Sequence, residues 1–530
     1  MLNLNPPMVQ EVVEVLHIAR MAALHPAKVA LTCVPAGRGY SFAELDAWAN
    51  RAAHAYRTCG LRQGDCVAIR LPNTVAMVVA ILAAQRAGLY YTLIPTKASD
   101  ADTDYIVTDS QSRLLLVASA FDAACQTSDY RVMTSSGWLD GAAEWEALLL
   151  EQPTALLADP APGTEMIYTS GTTGRPKGVR KKPVAEHWDS PDPRNVDAAR
   201  GIGLGSSGVF LATSPLYHSA PHRYLCAALH CGAHVVLMEQ FDAAECLAHI
   251  ERYQCTHSLW VPTMFQRLLK LDPALRQAYA GESMQIAIHG AAPCPLHVKQ
   301  AMIDWWGPIL VEYYSGTEGI GRTVITSQEW LAHPGSVGKP RDCVAHILDD
   351  AYAEVPARSV GTVYFESKTA FSYWRDPAKT KSSASPQGWF TFGDVGYLDE
   401  DGYLYLTDRK GFMVISGGVN IYPQEIENTL LADPDVLDIA VFGVPDDDLG
   451  ERLVAIVQVV NIDRGNAAKA LALLQHCKAT LGGIKTPKLV AFTTEFPRQE
   501  NGKVQKNALR QQFIAGELRD LARFERAQLL

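Results

Sequence analysis

Between residues 64 and 117 the chain alternates apolar strand and apolar helix at short spacing, and this order constrains the fold more than any other stretch. The run GDCVAIRLPNTVAMVVAILAAQRAG reads as a buried strand at Cys66 to Leu71, a Pro72-Asn73 turn, and a helix from about Val75 to Ala87 that ends at Gly88. Apolar strands follow at Leu89 to Ile94 and at Leu114 to Val117. An amphipathic helix over 42–58 precedes them, with Ser41 as N-cap and Leu45, Trp48, Ala49, Ala52 and Tyr56 on one face. Strands separated by helices in this way predict α/β architecture built on parallel sheets.

At 530 residues the chain is longer than one hydrophobic core supports, so two or more domains are expected. Its 47 Lys and Arg against 57 Asp and Glu leave a net charge of −10, which argues against a nucleic-acid partner or a broad electrostatic membrane surface. No apolar run approaches the ~20 residues of a spanning helix. The start, MLNLNPPMVQEVVEVL, lacks a basic segment followed by an apolar core, so a cytoplasmic location is expected. Eleven cysteines without a C-x-x-C pair predict small buried hydrophobes rather than disulfides or a zinc finger.

The chemistry is concentrated in YTSGTTGRPKG, Tyr168 to Gly178. Gly171, Gly174 and Gly178 let the backbone approach a ligand, Thr169, Ser170, Thr172 and Thr173 offer hydroxyls, and Lys177 adds a compact positive charge suited to a polyphosphate. A plain surface loop would use many of the same residue types, but not in this combination with the lysine. Lys177 lies between Pro176 and Gly178, so the G-x-x-x-x-G-K-[ST] loop of P-loop NTPases is excluded. Arg180, Lys181 and Lys182 read as a solvated face, and 180–200 as irregular chain.

Later stretches add further chemistry. ILVEYYSGTEG delivers Tyr314, which can stack on a base, Thr317, which can bond a phosphate oxygen, and Glu318, a hard oxygen ligand suited to Mg²⁺. His218, His222, Cys226, His230 and His234 recur every four residues, a spacing that would stack metal ligands on a helix. Pro221 takes His218 out of the helix and no carboxylate joins the set, so core packing and solvated imidazoles are expected instead. From Gly335 onward, GSVGKP, GTVYFES and GYLYLTD predict a small antiparallel or barrel-like subdomain.

The order [ST]-[SG]-G-[ST]-T-G-x-P-K-G is met without departure at 169–178, and the chain resembles the adenylate-forming superfamily of acyl-CoA synthetases, peptide-synthetase adenylation domains and luciferases. The resemblance runs over essentially the whole chain. It implies a large N-terminal α/β domain over 1–409, with parallel sheets and a small β-barrel-like subdomain, a hinge at 410–411, and a small mobile α+β lid over 412–530.

Further roles follow from the same resemblance. His218 takes the family's position between phosphate loop and acyl pocket, and Gly290 and Ala291 border adenine and acyl group. Tyr314, Thr317 and Glu318 match Y-G-x-T-E except that Ser315 replaces glycine. Asp394 matches the ribose-binding aspartate, Arg409 an arginine touching ribose and phosphate, and Gly417-Gly418 the loop that meets the thiol acceptor. Gly411 stands where the hinge is normally Asp or Lys, and Lys503 matches the catalytic lysine of P-x-T-x-x-G-K, with Gln499 for the threonine.

The implied activity is AMP-forming ligation of a carboxylic acid to CoA, with ATP/AMP, Mg²⁺ and CoA as the implied small molecules. Residues near His218, Trp260, Met264 and His289 to Ala292 imply a fatty or bulky hydrophobic acid. An amide synthetase or carrier-protein loader would use the same first step, and an inactive nucleotide-binding protein is the reading from another class. A homodimer is expected from family habit.

Overall fold

The structure is a computed structural model that describes residues 14–118, 129–139, 143–169, 176–279, 281–367, 371–497, 504–518 and 521–529. The chain forms two compact units, one of Met1–Trp260, Lys270–Ile288 and Phe371–Pro377, the other of Val261–Leu269, His289–Ala370 and Ala378–Leu530.

In the first unit a six-stranded sheet runs in the order Arg131–Thr134, Ser112–Val117, Cys66–Arg70, Tyr90–Leu93, Thr164–Thr169 and Lys177–Arg180. Its first five strands are parallel and the last is antiparallel. A second sheet orders His257–Trp260, Val209–Ala212, His234–Met238, Val29–Val34 and Arg38–Ser41, parallel until the final strand. The helix Val75–Arg86 is apolar on every side and buried from Val75 to Ala84, as befits a helix enclosed by other layers. Arg86 at its end is fully buried and is balanced by Asp46 at 3.0 Å and the Asn50 carboxamide at 2.5 Å. Asp46 and Asn50 lie on the helix Phe42–Thr58, which starts from the expected Ser41 cap, here closed into a box by Glu44.

The irregular chain expected over 180–200 is not met in this unit. The stretch 180–200 contains the helix Pro193–Gly201, because Asp192 caps it and Pro193 occupies its first turn, where no N–H is needed. Cys33, Cys66, Cys226, Cys231, Cys246, Cys255 and Cys477 are buried and free, as the composition predicts.

The second unit contains an antiparallel four-stranded sheet, Val344–Leu348, Gly361–Glu366, Asp394–Leu398 and Leu404–Arg409. Its C-terminal part has a separate sheet in which the long strands Val436–Asp446 and Gly450–Val459 pair antiparallel and Leu489–Thr493 joins in parallel. The alternation of those strands feeds two cores. Val441, Val457, Val490 and Phe492 pack with Ile426, Leu430 and Leu473 of the helices Pro423–Leu430 and Ala467–Leu481, whereas Phe442, Val454 and Ile456 pack with Leu509 and Phe513. Among the described residues no helix is long and apolar enough to cross a membrane.

Buried histidines make this fold acid-sensitive. Burial pushes His222 and His230 from the ordinary 6.5 down to about 4, and His17 beside His230 is lowered as well. A folded-state pKa below the unfolded value gives stability that is complete above about pH 6.5 and lost as the pH falls toward 4. The thermal midpoint is therefore expected to drop steeply between pH 7 and 5, by on the order of 2 kcal/mol per histidine at pH 5. Unfolding curves of His230→Gln should be flatter over that range.

Candidate active site

Around the glycine-rich loop the described residues are its two flanks. The strand Thr164–Thr169 leads in and Lys177–Arg180 leads out, paired Tyr168 to Gly178 and Thr169 to Lys177. Ser170, Gly171, Thr172, Thr173, Gly174 and the Thr169 side chain lie outside the described residues. The Tyr168 hydroxyl donates to Asp109 Oδ2 at 2.5 Å, and Tyr105 donates to the Pro176 carbonyl at 3.2 Å. Lys177 is half-buried, its Nζ 3.1 Å from Asp376 Oδ2. Arg180 is not the solvated residue its charge run predicts: its guanidinium lies between the rings of Tyr90, at 3.7 Å, and Trp374, at 4.1 Å.

His218 is the N-cap residue of the helix Ser219–His230, with its ring 4.3 Å from that of Tyr217. Within the four-residue pattern His222 Nε2 and Cys226 Sγ lie 3.6 Å apart, and the imidazoles otherwise have separate contacts. His222 Nε2 meets the Tyr91 hydroxyl at 2.9 Å, His234 meets Thr32 at 2.8 Å, and His230 is buried beside His17. Among the described residues no group of three or more His, Cys, Asp and Glu is arranged to hold a metal. Glu165, four residues before Thr169, is buried and bonded to Arg194 and Arg223 at 3.1 and 2.7 Å, and despite its burial the two guanidiniums hold its carboxyl well below the usual range. Trp260 is fully buried and its indole N–H donates to Ser258.

In the second unit the Tyr314 hydroxyl donates to Asp394 Oδ2 at 2.5 Å. Asp394 is buried at the start of Asp394–Leu398, where it pairs with Arg409 of the neighbouring strand; the Arg409 side chain lies outside the described residues. Ser315 stays in extended strand and its hydroxyl donates to the Gly321 carbonyl at 2.8 Å, so no glycine is required there. Thr317 and Glu318 follow in a half-exposed turn. A Cβ on Gly316 would stand 2.8 Å from Glu318 Oε2 and 2.4 Å from the Phe392 ring.

The turn at Gly290 and Ala291 is tight. A Cβ on Gly290 would lie 2.6 Å from the Tyr313 carbonyl oxygen, and Ala291 has φ +68°. Below it, the fully buried Lys299 meets Glu312 at 2.5 Å, with His289 Nε2 3.9 Å from the same carboxylate. Burial holds His289 well below its usual pKa, so the ring is neutral. Met264 is buried, and its helix neighbour Phe265 sits edge-on to His289 at 5.3 Å.

Gly417 and Gly418, at φ +58° and +78°, form an exposed turn between Val414–Ser416 and Val419–Ile421, a conformation glycine adopts without strain. Gly411 does not have a left-handed φ, and a Cβ placed on it would meet no atom within 4 Å. Asp408 Oδ2 accepts from the Gln424 N–H at 3.0 Å and so binds the start of Pro423–Leu430. Lys503 lies outside the described residues.

Residues 18–374 match the family model of the AMP-binding enzyme, and 425–503 that of the AMP-binding enzyme C-terminal domain. The chain belongs to the AMP-binding enzyme family. It is 30% identical over 499 residues to the 2-succinylbenzoate–CoA ligase of Bacillus licheniformis, covering 93% of this chain and 98% of that one. ATP-bound MatB from Rhodopseudomonas palustris aligns with TM-score 0.79 and 29% identity over 94% of this chain and 99% of that one. The amide bond synthetase McbA from Marinactinospora thermotolerans aligns with TM-score 0.80 and 27% identity over the same shares. The expected superfamily is therefore met, in its acyl-CoA synthetase branch.

Among the charged pairs that sequence reasoning missed in this AMP-binding enzyme are two made by lysines. Lys177 with Asp376 joins segments 199 residues apart, so no local pattern reveals it. Lys299 with Glu312 had a visible signal, because Lys299 interrupts the apolar face of Val298, Met302 and Ile303 in the helix Leu296–Trp306. Removing one partner of a buried ion pair strands the other charge, at about 3–5 kcal/mol. Lys299→Met is expected to lose that much in chemical denaturation, and Lys299→Met with Glu312→Leu to recover most of it.

Proposed function

We propose that the protein is an AMP-forming carboxylate–CoA ligase acting on a fatty or bulky aromatic acid. The observation that carries this reading is the 2.5 Å hydrogen bond between Tyr314 and Asp394, which joins a candidate adenine-stacking ring to a candidate ribose-binding carboxylate. One aspartate can accept both sugar hydroxyls, and its hydrogen bond to Tyr314 fixes the angle from which it does so.

In the first step an oxygen of the acid's carboxylate bonds to the α-phosphorus of ATP, and the bond to pyrophosphate breaks. Thr169 to Gly174 and Lys177 hold the departing pyrophosphate, Thr317 bonds a phosphate oxygen, Arg409 spans ribose and phosphate, and Lys503 neutralises charge developing at the α-phosphate. Glu318 suits Mg²⁺, since its carboxylate is a hard oxygen donor and stands in a half-exposed turn. When bound, the ion neutralises phosphate charge.

In the second step the CoA thiol attacks the acyl carbon and AMP leaves. Residues 1–409 form the adenylating domain and 412–530 a lid that turns at 410–411, removing Lys503 and bringing Gly417 and Gly418 to the thiol. Gly411 has no side chain to limit the backbone change of that swing. Gly290, Ala291, Met264 and the neutral His289 offer the acid no fixed charge, which favours a hydrophobic acyl group.

The likeness to an amide bond synthetase favours one second reading, in which the adenylate passes to an amine. Supplying ATP, magnesium and a panel of acids, then either CoA or an amine, separates the two by product. Lys503→Ala is expected to slow pyrophosphate release about 100-fold or more, while thioester formation from preformed acyl adenylate changes little. Equal losses in both steps would remove Lys503 from its role.

A further inference from the structure

The exit strand of the phosphate loop is fastened along its length. Segment 371–377, part of the first unit, docks on it: the Trp374 N–H donates to the Gly178 carbonyl at 2.8 Å, Tyr373 bridges antiparallel to Val179, and the Trp374 indole N–H donates to the Asp109 carbonyl at 2.8 Å. Asp109 also receives the Tyr168 hydroxyl at 2.5 Å, so one residue grips the entry flank and the segment bound to the exit flank. Arg180 is clasped between Tyr90 and Trp374. The backbone of Lys177 is thereby fixed, and its flexible stem decides where the ammonium goes.

In this structure the ammonium goes to segment 371–377, with Nζ 3.1 Å from Asp376 Oδ2 and 5.9 Å from the centre of the Tyr373 ring. Both partners are about one-third exposed, Lys177 at 30% and Asp376 at 36%. A pair so open to water is weak enough to exchange one anionic partner for another. The carboxylate also cancels the charge that Lys177 would offer a polyphosphate.

We propose that Asp376 is a positioning residue for Lys177, a counter-ion that parks the ammonium beside the loop and that the triphosphate must displace. The inference rests on the reading of Lys177 as a phosphate ligand. Asp376 thereby sets the affinity for ATP without touching the reacting atoms, and the fixed Trp374 mount keeps the carboxylate in reach for the return of the lysine.

The test is ATP binding by calorimetry without acid, together with the KM for ATP in pyrophosphate release, for wild type, Asp376→Asn, Lys177→Ala and the double variant. Asp376→Asn is expected to tighten ATP and lower its KM by about two- to fivefold, to leave kcat unchanged, and to lose most of this gain in 0.5 M salt. The gain should vanish on the Lys177→Ala background. An unchanged or raised KM in Asp376→Asn overturns the proposal, as does an equal gain with and without Lys177. Lys177→Ala alone tests the underlying reading: if it leaves ATP binding intact, Lys177 is no phosphate ligand, whatever Asp376 does. Should Asp376→Asn melt early, Asp376→Ser read in the same two assays decides in its place.

Discussion

A glycine-rich loop can hold phosphate with backbone N–H groups only if its ends are held, since ordering each residue costs about 1–2 kcal/mol of backbone entropy. Here both ends are strands of one sheet, joined Tyr168 to Gly178 and Thr169 to Lys177. The entry strand is in turn bonded in parallel to Tyr90–Leu93, whose other neighbour is the buried Cys66–Arg70. The two flanks thus inherit the rigidity of a hydrophobic core. Holding both flanks lowers the ordering cost that a ligand at such a loop would meet.

The parallel core was legible because its signals are local. Apolar runs of strand length, helices of 3.6-residue period and caps such as Ser41 lie within a few positions of one another. So were the strand that enters the glycine-rich loop, Thr164–Thr169, and the strand and turn that carry Tyr314 to Glu318. The helix Pro193–Gly201 was hidden by its polar composition, although Asp192-Pro193 is a start signal. Arg180 was misread for a different reason: a charge run reveals nothing about aromatic rings brought in from position 90 and position 374.

Two departures from the family pattern have opposite explanations. Ser315 replaces glycine at a position that needs no glycine, because the residue is extended and its hydroxyl closes the turn onto Gly321. Gly411 replaces a larger residue at a position where a larger residue would fit, because nothing stands near its absent side chain. The first substitution adds a hydrogen bond that restrains the turn carrying Thr317 and Glu318. The second leaves position 411 without a side chain, so its backbone is restrained less than a larger residue would restrain it.

The two unforeseen lysine pairs differ in exposure, and exposure decides what each can do. Lys299 and Glu312 are enclosed, so separating them would leave charges without solvent, and the pair behaves as part of the wall under Gly290 and Ala291. Lys177 and Asp376 reach water, so each can be re-solvated while the other changes partner. Burial makes a salt bridge into scaffold and partial exposure makes it into a contact that a ligand can replace. A phosphate-binding lysine needs the second arrangement, because a lysine sealed with its carboxylate would carry no net charge to offer.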